Sequence, residues 1–114
     1  MELVSEMRDG VLVITAQEDR INAAGAVHFK DRMRELTQDA TSRVLLNLEH
    51  VTFVDSSGLG AIVGSLKQLP QNATLELAAL TPAVDKVFRL TRMDSVFAIH
   101  TDTATAIGED RQAG

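Results

Sequence analysis

The chain has 114 residues, 45% hydrophobic and 24% charged, with a formal net charge of −5 and a pI near 5.0. That length builds one domain around one ordinary core, and the acidic balance argues against nucleic acid as a direct partner. The absence of Cys rules out disulfides and thiol chemistry, and the absence of Trp and Tyr removes any stacking platform for bases or sugars.

In chain order, Glu2–Arg8 and Val11–Thr15 read as short strands around Asp9-Gly10, a strong hairpin turn signal. Asp19–Gly25 reads as a loop, after which Ala26, Phe29, Met33 and Leu36 follow one helical stripe. Arg43–Leu48 reads as a buried strand, within an apolar stretch from Leu45 to Val54 that Glu49-His50 interrupts. A helix starting near Ser57 runs toward Pro70, with Leu59, Ile62, Val63 and Leu66 on its apolar face. Leu75–Leu80 is a further strand after the Gln71-Asn72 turn. Thr81-Pro82 has the form of an N-cap followed by Pro at the first helical position, and Val84, Val87, Phe88 and Met93 supply the apolar face that follows. Val96–His100 is a last short strand, and Thr103–Glu109 a terminal helix or frayed tail. Strands separated by helices imply parallel crossovers, so the expected fold is α/β, with an antiparallel hairpin at the start. The N-terminal residues lack the layout of a signal peptide, and no apolar run approaches the roughly 18 residues of a membrane span. A cytoplasmic protein is expected.

The segment Val51–Lys67 concentrates the chemistry. Asp55, Ser56 and Ser57 stand where a strand ends and a helix begins, where backbone N–H groups lack partners and the helix dipole favours negative charge. A serine there can be a helix cap, a nucleophile or a phosphate acceptor. Capping is the plainest reading, because Asp and Ser are favoured N-caps. Yet no Glu or Gln closes a capping box, and Gly58, Gly60 and Gly64 each cost roughly 1 kcal/mol against alanine inside a helix. Such glycines make sense where something approaches closely, either a packed sheet or a partner protein.

Enzyme readings find little support. His28, His50 and His100 are far apart and lack metal-ligand spacing, so no metal or cofactor is expected. Only half of a G-x-S-x-G elbow surrounds Ser56, since Val54 stands where the first Gly belongs. The third glycine of a dinucleotide fingerprint would fall at Val63, and Gly64-Ser65-Leu66-Lys67 is not a phosphate-binding loop. A nucleophilic Ser56 would need a base within hydrogen-bond reach, and no His has a sequence-based claim to that role.

The run Phe53-Val54-Asp55-Ser56-Ser57-Gly58-Leu59-Gly60, preceded by Leu46-Asn47-Leu48 and followed by Lys67, resembles the phosphorylation-site signature of bacterial anti-sigma factor antagonists, members of the STAS domain family. The likeness extends over nearly the whole chain, including Thr81-Pro82-Ala83-Val84 and the Val87-Phe88 pair before Thr91-Arg92-Met93. It implies a single STAS domain over residues 1–114: a small, mostly parallel mixed sheet with an N-terminal antiparallel hairpin and helices mainly on one side. It further implies a partner switch. The antagonist binds a protein that is both anti-sigma factor and serine kinase, which frees the sigma factor. Phosphorylation of the serine after the Asp, here Ser56, abolishes binding, and a phosphatase restores it. The implied partner-binding residues are Asp55, Ser56, Ser57, Gly58, Leu59, Gly60 and Asn22.

The chain departs from the family before the first helix. Relatives often carry Gly-x-Leu-Asp-x-x-Thr-Ala where this chain has Asp19-Arg20-Ile21-Asn22-Ala23-Ala24-Gly25-Ala26. Asn22 keeps the shape and hydrogen-bonding capacity of the Asp but not its charge, which bears on which kinase is recognised. Asn22 as a helix cap is the structural alternative. A second function for the resemblance is a STAS module serving as soluble subunit of a lipid transporter, or as scaffold in a stress-signalling complex.

Overall fold

The computed structural model describes residues 2–112. Strands β1 (Leu3–Arg8) and β2 (Val11–Ala16) form the antiparallel hairpin expected from Asp9-Gly10. Both turn residues have positive φ, 51° at Asp9 and 82° at Gly10, the backbone that a two-residue turn of this hand requires. Short β3 (Arg20–Ile21) leads to α1 (Ala26–Thr37), then β4 (Arg43–Asn47), β5 (Phe53–Val54) and α2 (Ser56–Lys67). Then come β6 (Thr74–Ala78), α3 (Pro82–Leu90), a 3-10 turn at Met93–Ser95, β7 (Ile99–His100) and α4 (Thr103–Gln112).

The main sheet runs β1-β2-β4-β6-β7, parallel throughout except for the hairpin. Each crossover, through α1, α2 and α3, adds its strand on the same side of the previous one. Right-handed crossovers that all advance one way place all their helices on one face, as the family resemblance implies. Ile14, Val44, Leu46, Leu75 and Leu77 from the sheet meet Phe29, Met33, Ala61, Ile62, Val84 and Phe88 from the helices in the main core. The opposite face carries a smaller cluster, Val11, Val13, Leu45 and Ala78, which α4 covers with Ala106 and Ile107.

Polar groups tie α4 to that second face. Arg43 reaches across to β6 and donates through Nε and Nη2 to the two carboxylate oxygens of Glu76, each at 2.8 Å. The same Nη2 donates to the carbonyl of Ala106 at 3.0 Å. His100 Nε2 lies 2.7 Å from Glu76 Oε1 and acts as the donor, because a carboxylate only accepts. The Arg43 bonds hold the Glu76 carboxyl below its ordinary value, against the opposing effect of burial and with help from His100. Asp102 accepts the Thr105 N–H at the start of α4, and that bond lowers its pKa.

Several boundaries differ from the sequence reading. The apolar stretch from Leu45 to Val54 is two strands in two sheets: β4 ends at Asn47, and β5 pairs with β3 in a separate two-stranded ribbon. Asp19–Gly25 therefore contains a strand, too short at two residues to leave a periodic signal. On α2 the buried line is Gly58, Ala61, Ile62 and Ser65, while Leu59, Val63 and Leu66 pack half-buried at its margin. Small residues let the helix sit close, and the larger ones fill the flanks. The last strand shrinks to Ile99–His100, with Phe97 buried before it.

Candidate functional site

The site is built where the β3–β5 ribbon feeds α2. Arg20 pairs in register with Phe53 and Ile21 with Val54. The Asp19 carbonyl accepts the N–H groups of Thr52 and Phe53 at 2.8 and 3.2 Å, and the Ile21 carbonyl accepts that of Asp55 at 3.4 Å. Ile21 and Val54 point into the core, so Phe53, on the opposite side of its strand, is left 42% exposed.

Asp55 is the N-cap of α2, in extended backbone. Its Oδ1 accepts the Gly58 N–H at 2.8 Å, and its Oδ2 accepts the Ala23 N–H at 3.1 Å. One carboxylate thus caps the helix and staples the 22–25 loop to it. Capping is real here, but it belongs to Asp55, which leaves both serines free. Ser56 and Ser57 occupy the first two helical positions, exposed. Among the described residues neither hydroxyl has a hydrogen-bond partner, so no histidine or carboxylate is bonded to Ser56 as a base would be, and the neighbouring Asp55 carboxylate is engaged by backbone amides. Thr81 presents the contrast, because its hydroxyl donates to the Val51 carbonyl at 2.7 Å and pins the β4–β5 connection instead of capping α3.

The three glycines have three different surroundings. A Cβ on Gly58 would stand 1.8 Å from the Ile21 carbonyl oxygen, so β3 and α2 approach too closely for any side chain there. At Gly64 a Cβ would stand 3.1 Å from the Lys30 side chain, where α1 crosses α2. At Gly60 nothing lies within 4 Å, and the helix surface is open. Leu59 is half-buried against the main core.

Asn22, read from the sequence as a site residue or a cap, does not cap α1, whose N-cap is Gly25. Its carbonyl accepts the Gly25 N–H at 3.0 Å to close a turn, and the Asp55–Ala23 bond brings that turn beside the start of α2. Asn22 and the Asp55–Gly60 segment are therefore adjacent. Within the set, Ser56, Ser57 and Gly60 are exposed, Asp55 is committed to backbone amides, and Gly58 is internal. Sequence reading missed Arg20 and Phe53, whose guanidinium carbon lies 5.2 Å from the ring centroid. The signal was available: if Val54 faces inward, the residue before it faces out. Among the described residues no three His, Asp or Glu side chains converge to hold a metal ion.

Comparison with known proteins places the chain in a family. The model of the STAS domain matches residues 2–106. The chain belongs to the STAS domain family. The anti-sigma-B factor antagonist of Staphylococcus aureus is 33% identical over 76 residues, 66% of this chain and 70% of that protein. An anti-sigma factor antagonist from Mycobacterium paratuberculosis superposes with a TM-score of 0.84 at 22% identity, covering 96% of this chain and 93% of that one. The Bacillus cell fate determinant SpoIIAA, in its phosphorylated form, gives 0.64 at 21% identity, over 96% of this chain and 98% of its own. These structures share the mixed sheet with its antiparallel first pair and four helices. No helix among the described residues is long and apolar enough to cross a membrane.

Proposed function

We propose that this STAS domain is an anti-sigma factor antagonist of the cytoplasm. It binds an anti-sigma factor that is also a serine kinase, releases the sigma factor, and is switched off by phosphorylation of Ser56. A phosphatase resets it, and the chain itself performs no catalysis. The observation that carries this reading is the exposed Ser56 hydroxyl, unpartnered among the described residues, on the first turn of a helix whose cap is already supplied by Asp55. A hydroxyl with no base nearby is an acceptor of a group rather than a nucleophile in its own right. The relative from S. aureus is named an anti-sigma-B factor antagonist, and SpoIIAA, of the same fold, has a phosphorylated form.

The physics of the switch follows from the site. A phosphate adds about −1.5 to −2 charges and three acceptor oxygens. Within the fold, the N–H groups of the first turn of α2 and the helix dipole offset its repulsion from Asp55. Burying the phosphate against a partner strips the added charge of water, a cost the unmodified serine does not carry. Weakening the complex by about 4 kcal/mol reduces affinity roughly a thousandfold. Incubated with its kinase and ATP, the protein is expected to gain one phosphate, located on Ser56 by fragment mass spectrometry. Phosphate found solely on Ser57 or Thr81 overturns the assignment. Thr81 is the sharper control, since its hydroxyl is already engaged.

A further inference from the structure

Most arginines with described side chains face a carboxylate. Arg8 faces Glu6, Arg32 faces Glu35, Arg34 faces Asp31, Arg43 faces Glu76, and Arg89 faces both Asp85 and Asp94. Two do not. Arg92 lies in the turn after α3, and Arg20 lies on β3, stacked on the exposed ring of Phe53. In a chain with a net charge of −5, a guanidinium with no carboxylate partner is a local exception. Its position is also specific. Phe53 is the strand residue three before Ser56, and the ribbon that aligns Arg20 with Phe53 is the one that delivers the chain into α2. Arginine and large aromatic side chains are the types that dominate the centres of protein interfaces.

We infer that Arg20 and Phe53 together form the anchor of the docking surface beside Ser56, and that the partner protein presents an acidic patch there, with an apolar depression for the ring. This rests on the reading of Ser56 as the switch, and it names the chemistry of the surface opposite. The guanidinium carbon lies over the ring, 5.2 Å from its centroid, and this cation–π contact places the charge beside the apolar surface before the partner arrives. A carboxylate of the partner then meets Arg20 while the ring is desolvated between them. The same arrangement explains the direction of the switch. A phosphate on Ser56 sets like charge against the acidic patch, which subtracts from binding.

The test uses the full chain and, as probe, the purified anti-sigma factor kinase, with affinity measured by calorimetry at low and high salt. Arg20→Glu is expected to bind at least tenfold more weakly than the parent at low salt, with the gap narrowing at high salt. Arg20→Gln is expected to fall between them, and it keeps the test sound should Arg20→Glu fold poorly. Phe53→Ala is expected to weaken binding at least tenfold at either salt concentration, with the melting temperature held. Binding of Arg20→Gln and Arg20→Glu within twofold of the parent, while Ser56→Asp releases the partner, overturns the anchor and leaves the switch standing. A parent that does not bind the kinase, or a Ser56→Asp variant that binds as tightly as the parent, removes the switch and the anchor with it. Sedimentation of the parent and Arg20→Glu covers the remaining occupant: an Arg20-dependent dimer would assign this surface to a second copy of the chain and overturn the acidic partner.

Discussion

At Gly58 a single methyl group is excluded by backbone, because its position falls 1.8 Å from the Ile21 carbonyl oxygen. Gly58→Ala gains about 1 kcal/mol of helix propensity, yet it must part β3 from α2, and overpacking of this kind costs about 1–3 kcal/mol or more. The expected outcome is net destabilisation, read as a lower urea midpoint at unchanged slope. Gly60 has open space in place of a carbonyl, so Gly60→Gln is expected to hold or raise the melting temperature while partner affinity falls at least tenfold. Asp55 separates its two jobs by substitution. Asp55→Ala removes the cap and is expected to cost about 1–2 kcal/mol. Asp55→Asn keeps an acceptor for Gly58 but turns a donor toward the Ala23 N–H. Its expected signature is faster hydrogen exchange at Ala23 with little loss of global stability.

At the scale of elements, α4 is held to the back of the sheet by two apolar side chains and by the chain of contacts from Ala106 through Arg43 to Glu76 and His100. Glu76 has a native pKa below its unfolded value. Its contribution is therefore fully present above the unfolded carboxylate pKa and is lost as pH falls through the native one. Glu76→Gln is expected to lower stability by about 1–3 kcal/mol at neutral pH and to flatten the decline expected of the parent as pH falls toward about pH 4. Urea titrations at both pH values check this. None of the network was legible in the sequence, because Arg43, Glu76 and His100 are 24 or more residues apart and meet only through strand register. What could be read was local. The Asp9-Gly10 hairpin follows from backbone that only a few residues adopt, and α1 from the spacing of Phe29 and Met33. The β3–β5 ribbon escaped because two-residue strands carry no period, and the burial line of α2 was misplaced toward the larger side chains. At the site, the position of Ser56 was readable from the strand-to-helix junction. The sharing of the cap between Gly58 and Ala23 was not, since Ala23 is 32 residues from Asp55.

For the molecule as a whole, the switch must change binding without changing the fold. Ser56 is exposed, its hydroxyl makes no bond among the described residues, and it sits where the helix dipole favours negative charge. Ser56→Ala and Ser56→Asp are both expected to melt within about 0.5 kcal/mol equivalents of the parent, with Ser56→Asp the more stable of the two. Only Ser56→Asp is expected to bind the partner more weakly. The sheet order β1-β2-β4-β6-β7 has a consequence for how the chain is made. Strands lie side by side in the order in which they leave the ribosome. Each new β–α unit can add to the open edge of what is already built, and no strand has to thread between two placed earlier. The back face is the exception, since its cover, α4, is synthesised after every strand of the sheet. Roughly 29 residues separate Ala78 from Ile107, a delay on the order of one to six seconds at about 5–20 residues per second. During that interval Val13 and Leu45 lie open, and it is the nascent chain, rather than the finished domain, that has apolar sheet to protect from its neighbours.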